Sequence, residues 1–318
     1  MKETTNNSIF CMFASWTSFR KCLTAFVIAM FVGQVVAGDN FQRTEDVIYR
    51  RKYGTALTLD VFTPKKSNGV AVVFTASGGW FSMKDFIDLN MIHDYIDRGY
   101  TVFAVVHGSQ PKYTIPEILE DMHRAIRFIR SRANHYQIDP NRIGICGASA
   151  GGHLSLMIGT AGTAGDPNSK DPVERESSRV QAVACFFPPT DFLNYGKPGE
   201  VDLGTGVLKP FRAPFDFHEL DKATNVFVPI TDEKRIREIG TAISPIYHVT
   251  ADDPPTLLVH GVRDVLVPLQ QAESIICRFQ EVGVPCELVK RNEGHGWTGF
   301  NKDVPILADW FDKYLAKK

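Results

Sequence analysis

One serine of the 318-residue chain stands in a G-x-S-x-G pentapeptide, Gly147-Ala148-Ser149-Ala150-Gly151. A serine hydroxyl attacks a carbonyl only when a base takes its proton and N–H groups hold the oxyanion that forms. Small neighbours let such a serine occupy a tight turn between a strand and a helix, with its hydroxyl raised above the sheet. The setting here fits: Arg142 to Cys146 read as a buried strand, and the residues from Ala150 read as a helix. The start of that helix offers the free N–H of Ala150 and the positive end of a dipole. A glycine-rich packing turn with an incidental serine is the bland alternative, and the strand-turn-helix setting argues against it.

The chain has nine histidines, so proximity in sequence does not choose the base. Where a serine sits on such a turn, the partners follow in the order acid, then histidine. His295, in Asn292-Glu293-Gly294-His295-Gly296-Trp297, lies in a loop after the last strand-like run and meets that order. Asp264, in His260-Gly261-Val262-Arg263-Asp264, follows the preceding strand. A buried acid there fixes the imidazole tautomer and stabilises the imidazolium. Asp191 is the rival acid, while Asp252 and Asp253 read as turn residues before a strand. His107, His153 and His260 also fall near strand ends; His153, one turn past the serine, reads as a packed helix residue. Ala76-Ser77-Gly78-Gly79-Trp80 follows a buried run, Val72 to Phe74, where a second oxyanion donor belongs, so Gly78, Gly79 and Ala150 are the expected backbone donors. Trp80, His107 and Trp297 are candidate pocket residues.

These residues need a frame that brings distant segments to one edge. Asp46 to Tyr53 and Ala56 to Phe62 alternate apolar and polar residues, as edge strands do. Gly69 to Thr75, Thr101 to Val106, Arg142 to Cys146, Val180 to Phe187, Thr256 to His260 and Cys286 to Val289 are apolar without alternation, as strands covered on both faces require. Between them lie helix-length segments at Lys84 to Arg98, Pro116 to Tyr136, Ala150 to Gly159, Gln270 to Glu281 and Val304 to Leu315. This alternation predicts an α/β fold, with a mostly parallel central sheet and helices on both faces. One long connection, about 191–243, is rich in Phe, Pro and Gly and reads as a cap or lid inserted before the seventh strand. Its aromatics, among them Phe192, Tyr195, Phe211, Phe215, Phe217 and Phe227, suit a substrate pocket or the packing of the insertion equally well.

Together these motifs resemble α/β-hydrolase esterases related to acetyl xylan and feruloyl esterases and to the hormone-sensitive lipase group, with a neighbouring likeness to prolyl oligopeptidase catalytic domains. The resemblance covers roughly Val47 to Leu315. It rests on Ala76 to Trp80 against HGGGW, on Ile138 to Ile143 leading into Gly147 to Gly152, on Gly261 to Pro268 against GDxDxxVP, and on Gly294-His295-Gly296. It implies the α/β-hydrolase fold, a Ser149–Asp264–His295 triad and a serine carboxylic ester hydrolase acting through an acyl-enzyme on acetyl or feruloyl esters of polysaccharide. A prolyl-oligopeptidase-like peptidase and a non-catalytic binding module are the alternatives. The chain departs from the pattern at Ala76-Ser77, which replace the His-Gly of HGGG, at Val262, which replaces the first acid of GDxD, and at Val106-His107-Gly108-Ser109.

A net charge of -1 gives no electrostatic reason to bind nucleic acid or an anionic membrane. No H-E-x-x-H or comparable ligand cluster occurs, so neither metal nor cofactor is expected. Arg20 and Lys21 precede an apolar run from Cys22 to Ala37, the order of a secretory signal. The run is shorter than the roughly 20 residues that span a bilayer, so cleavage after Ala37 is expected, leaving a secreted or periplasmic hydrolase over 38–318 with no stable membrane span. That domain keeps Cys146, Cys185, Cys277 and Cys286, of which only Cys277 and Cys286 are candidates to pair.

Overall fold

The computed structural model describes residues 35–37, as backbone, and residues 40–316. The leader expected over 1–37 lies outside the described residues except for its last three. Those three form strand β1 (Val35–Ala37), paired antiparallel with β2.

The sheet is built from β1, β2 (Phe41–Lys52), β3 (Thr55–Pro64), β4 (Ala71–Thr75), β5 (Thr101–Val105), β6 (Ile143–Ala148), β7 (Ala182–Phe186), β10 (Thr256–Gly261) and β11 (Cys286–Arg291), in the spatial order β1-β2-β3-β5-β4-β6-β7-β10-β11. Pairing is antiparallel from β1 to β5 and parallel from β5 to β11. The α/β-hydrolase expectation of a mostly parallel sheet therefore holds. A strand turns successive side chains to opposite faces, and the core divides accordingly. Val73, Val105, Ile145, Cys185 and Leu258 point to one face with helices α2 (Ile115–Ser131), α4 (Ala150–Ala161) and α6 (Gln270–Glu281). Val72, Ala104, Cys146, Ala184 and Val259 point to the other, with α1 (His93–Asp97) and α7 (Val304–Leu315).

The helix expected over Lys84 to Arg98 is instead two single-turn 3-10 segments, Lys84–Phe86 and Leu89–Met91, and then the five-residue α1. Asp88 explains the break: its side chain accepts from the N–H of Asn90, a local bond that competes with helix continuation. Helix α2 starts at a cap instead, where the Glu117 carboxylate accepts from the N–H and Oγ1–H of Thr114, with Pro116 in the first turn. It ends at Ser131, and a separate single turn, α3 (Ala133–Tyr136), follows.

Between β7 and β10 the chain carries the hairpin β8 (His218–Asp221) and β9 (Val226–Pro229), then α5 (Glu233–Ala242). This is the segment expected as an insertion. Cys146 and Cys185 are buried free thiols; Cys277 and Cys286 are free as well.

Candidate active site

Parallel strands all deliver their following loops to the same edge of the sheet, which is why residues so distant in sequence converge. Ser149 sits between β6 and α4 with φ 52° and ψ −120°, a conformation costing about 1–3 kcal/mol for a side-chain-bearing residue. Its N–H donates to the Phe186 carbonyl at 3.0 Å. The glycines around it are needed for approach: a Cβ on Gly147 would lie 2.5 Å from the Gly151 backbone, and one on Gly151 would lie 2.7 Å from the Thr75 carbonyl.

His295 Nε2 lies 3.0 Å from Ser149 Oγ, and its Nδ1 lies 2.7 Å from Asp264 Oδ2. An acid at Nδ1 requires Nδ1–H, which leaves the Nε2 lone pair for the serine proton. The Asp264 side chain is fully buried. Its Oδ1 accepts from the N–H groups of Leu266 (3.0 Å) and Val267 (2.8 Å). Burial alone would raise the Asp264 pKa; the hydrogen bonds from His260 and His295, the charge of His295 and the Val267 N–H outweigh it and hold the carboxyl down at about 2. His260 is buried, donates Nε2–H to the Val267 carbonyl at 2.8 Å and lies 3.4 Å from Asp264 Oδ2. The rival acid Asp191 is engaged elsewhere, accepting from Leu193, Asn194 and Tyr247.

The loop carrying His295 is held by the turn after β10. Val262 N–H donates to the Arg291 carbonyl and Arg263 N–H to that of Glu293. The Val262 side chain, which replaces the family's acid, is 42% exposed, so these anchors are made by backbone. The His295 ring meets the edge of Phe187 at 4.7 Å, and Phe187 packs on Trp297 and Phe300.

The loop after β4 is a two-residue hairpin turn. Gly78 and Phe81 exchange both backbone bonds, and Gly79 (φ 54°) and Trp80 (φ 61°) both lie in the left-handed region, as a type I′ turn requires. The N–H of Gly78 is therefore engaged by the Phe81 carbonyl, and Gly78 is a turn-former here rather than a free donor. Among the described residues nothing accepts from the N–H of Ser77 or of Gly79, and Ala150 is the first residue of α4, where helical N–H groups lack helical acceptors.

Two candidate pocket residues are corrected. Trp80 is 1% exposed, wedged between His153, Phe192 and Phe215, because its left-handed backbone turns the ring inward. Its Nε1–H donates to His153 Nδ1 (3.2 Å), whose Nε2–H in turn donates to the Ile243 carbonyl (2.7 Å). Burial holds His153 neutral, with its pKa pushed down to about 4. His107 is likewise buried, its Nδ1 2.8 Å from the Gly108 carbonyl. Trp297, the third candidate, is half-buried against Phe186 and Phe187.

Replacing His153 by leucine leaves the Trp80 indole N–H and the Ile243 carbonyl without partners in the core. The expected loss is about 2 kcal/mol of stability or more, at about 1–3 kcal/mol per orphaned group, read as a lowered urea midpoint. His153→Gln, whose amide both accepts and donates, is expected to recover most of it.

Sequence reasoning did not single out Gln110, whose side chain donates to the Gly79 carbonyl; His260, read only as a histidine near a strand end, lies behind Asp264. Asn194 and Tyr247, around Asp191, also went unnoticed. A lone glutamine carries no sequence signal.

The sheet order, the helices on both faces and the serine elbow define an α/β-hydrolase. The BD-FAE family profile matches residues 59–278, and the chain belongs to that family. It is 28% identical over 244 residues to the probable carboxylic ester hydrolase LipM of Mycobacterium tuberculosis, covering 73% of this chain and 50% of LipM. To esterase LipC of the same organism it is 29% identical, covering 74% of this chain and 56% of LipC. The chain thus spans about half the length of these curated relatives. Among solved structures, a truncated carbohydrate esterase from gut microbiota superposes with a TM-score of 0.71 at 24% identity, covering 89% of this chain and 100% of that one.

Proposed function

We propose that the chain is a serine carboxylic ester hydrolase working through an acyl-enzyme. The observation that carries this reading is the unbroken Ser149–His295–Asp264 hydrogen-bonded series on a left-handed elbow. His295 takes the Ser149 proton as Oγ attacks the ester carbonyl. Ala150 N–H and a free N–H of the β4 loop hold the oxyanion, and His295 returns the proton to the departing alcohol. Water then attacks the acyl-serine by the same route. The relatives named above, carboxylic ester hydrolases and a carbohydrate esterase, support ester rather than peptide substrates. Acetyl or feruloyl groups on polysaccharide are the expected esters. The assay is a panel of p-nitrophenyl acetate, feruloyl esters and proline-containing peptides: ester turnover without peptide cleavage is expected, and cleavage of the peptides alone would overturn the reading.

Residues 191–243 serve as a cap in this reading. They form an open hollow of ≈ 1090 Å³ lined by Leu203, Phe215, Phe217, Phe227 and Ile236, with Lys209 and Arg212 among its polar lining; Phe215, which packs on Trp80, joins it to the β4 turn. Phe211 of the same segment lies against Gly79, where an added Cβ would come 2.4 Å from its ring. The hollow takes the bulk of the substrate. Phe227→Ala is expected to lower kcat/KM for bulky esters about tenfold, as 1–3 kcal/mol of pocket contact implies, and to leave p-nitrophenyl acetate turnover unchanged. Equal loss on both esters would count against the assignment. Export through a cleaved leader completes the proposal: cleavage after Ala37 would remove β1, the outermost strand, leaving β2 as the sheet edge, and the N-terminal residue of the mature protein tests it, with Gly38 expected.

A further inference from the structure

The turn at Gly78–Phe81 has to hold a bulky residue, Trp80, at positive φ, which a non-glycine side chain disfavours. The first residue of its loop, Ala76, has no polar side chain to fasten it. The fastening comes from the neighbouring loop after β5. Gln110 Nε2–H donates to the Gly79 carbonyl at 2.5 Å, and Gln110 backbone N–H donates to the Trp80 carbonyl at 3.2 Å. Ser109 and Ser82 add to the junction: Ser109 Oγ accepts from the Ser82 N–H, and Ser82 Oγ donates to the Ala76 carbonyl. β4 and β5 are parallel neighbours, so the two loops leave the same sheet edge side by side. Gln110 is 6% exposed, which leaves its amide little freedom to turn elsewhere.

A peptide unit is planar and trans, so fixing its carbonyl fixes the direction of its N–H. In this turn the Gly78 carbonyl is held by Phe81 N–H, and the next two carbonyls, of Gly79 and Trp80, are both held by Gln110. The first of these bonds sets the plane that carries the Gly79 N–H, and Gln110 sets the two planes that follow, which carry the Trp80 and Phe81 N–H groups; Gln110 therefore acts on the Gly79 N–H through the turn it holds closed behind it.

We infer that Gln110 is a positioning residue for the oxyanion loop: it holds the β4 hairpin turn so that the loop's free N–H groups are fixed before substrate arrives. This rests on the reading of that loop as an oxyanion donor. Fixed donors stabilise charge that develops only in the transition state, so loosening them lowers kcat and leaves KM nearly unchanged.

The test uses the full chain with Gln110→Met and Gln110→Glu. Gln110→Met keeps length and removes the donor; kcat on p-nitrophenyl acetate is expected to fall 10- to 100-fold per serine titrated by a fluorophosphonate, with KM within threefold of the parent. Counting active serines removes any misfolded fraction from the comparison. Gln110→Glu places a carboxylate against the Gly79 carbonyl at neutral pH, where it cannot donate. Burial without a cationic partner raises that carboxyl's pKa, so protonation on going from pH 8 to pH 5 restores an O–H donor. The ratio of variant to parent kcat is therefore expected to rise as pH falls. The titratable groups on the same loops and on the elements packed against them include His107, Lys112, whose ammonium donates to the Tyr53 carbonyl and the Thr55 hydroxyl, Tyr113, Asp121 and, across Trp80, His153. Both histidines are held to about 4 by burial and stay neutral over this range. Asp121 is salt-bridged to Arg50 and Lys52, and the parent divides out its effect and that of Tyr113. A Gln110→Met kcat within threefold of the parent, or a Gln110→Glu ratio that stays flat or falls toward pH 5, overturns the inference. A failure of the underlying reading looks different, since the parent's own fluorophosphonate labelling would then survive Ser149→Ala.

Discussion

Ser149→Ala is expected to abolish fluorophosphonate labelling and to lower kcat on p-nitrophenyl acetate by about 10⁴- to 10⁶-fold. The size follows from what remains. Without the hydroxyl no acyl-serine forms, and His295 can only activate a water that the elbow was not shaped to hold. The N–H of Ala150 and the β4 loop would still stabilise an oxyanion, which explains why a residue of catalysis over the uncatalysed reaction is expected to survive. Stability is expected to change little or to rise. Ser149 sits at φ 52° and ψ −120° with its N–H bonded to Phe186, and alanine retains that N–H bond while giving up only the contact with His295. Undiminished labelling in the variant would remove Ser149 from the nucleophile role.

The frame was legible in the sequence because burial dictates composition. Strands covered on both faces cannot alternate, so Val72 to Phe74 and Val183 to Phe186 announced themselves, and α6 and α7 begin and end where their sequence patterns predict. The serine elbow was legible for a related reason: a Cβ at Gly147 or Gly151 would meet backbone at 2.5–2.7 Å, so neither position admits a side chain. His295 and Asp264 followed from strand order.

What stayed hidden depends on side-chain direction, which no local pattern carries. Trp80 was expected in a pocket, yet positive φ at Gly79 and Trp80 folds the ring into the core against His153. The same turn engages the Gly78 N–H that an extended glycine loop would have left free. Gln110 holds the loop from 31 positions away in sequence, a bond that exists only once β4 and β5 are parallel neighbours. The stretch from Lys84 to Arg98 misled by composition, since its apolar residues are spaced for a helix while Asp88 offers the backbone a local acceptor instead.

Asp264→Asn is expected to cost about 10⁴-fold in kcat with the fold intact. The carboxylate accepts from His295, Leu266 and Val267, with His260 Nε2 3.4 Å away, and an amide cannot satisfy all of these acceptor roles. If its oxygen stays with Leu266 and Val267, its NH₂ faces His295 Nδ1 and selects the wrong tautomer, with the proton on Nε2 and no lone pair for Ser149. The stability consequence has a definite sign. The Asp264 carboxyl titrates at about 2 in the folded chain, below its ordinary value near 3.9. It therefore contributes stability that is fully present above about pH 4 and is lost as pH falls toward 2. Asp264→Asn removes that dependence, so the gap in unfolding free energy between parent and variant is expected to narrow as urea titrations move from pH 6 toward pH 3. A gap that stays constant over that range would mean the carboxylate is not held down by its partners. A kcat loss below tenfold would mean that the Nδ1 bond does not set the tautomer.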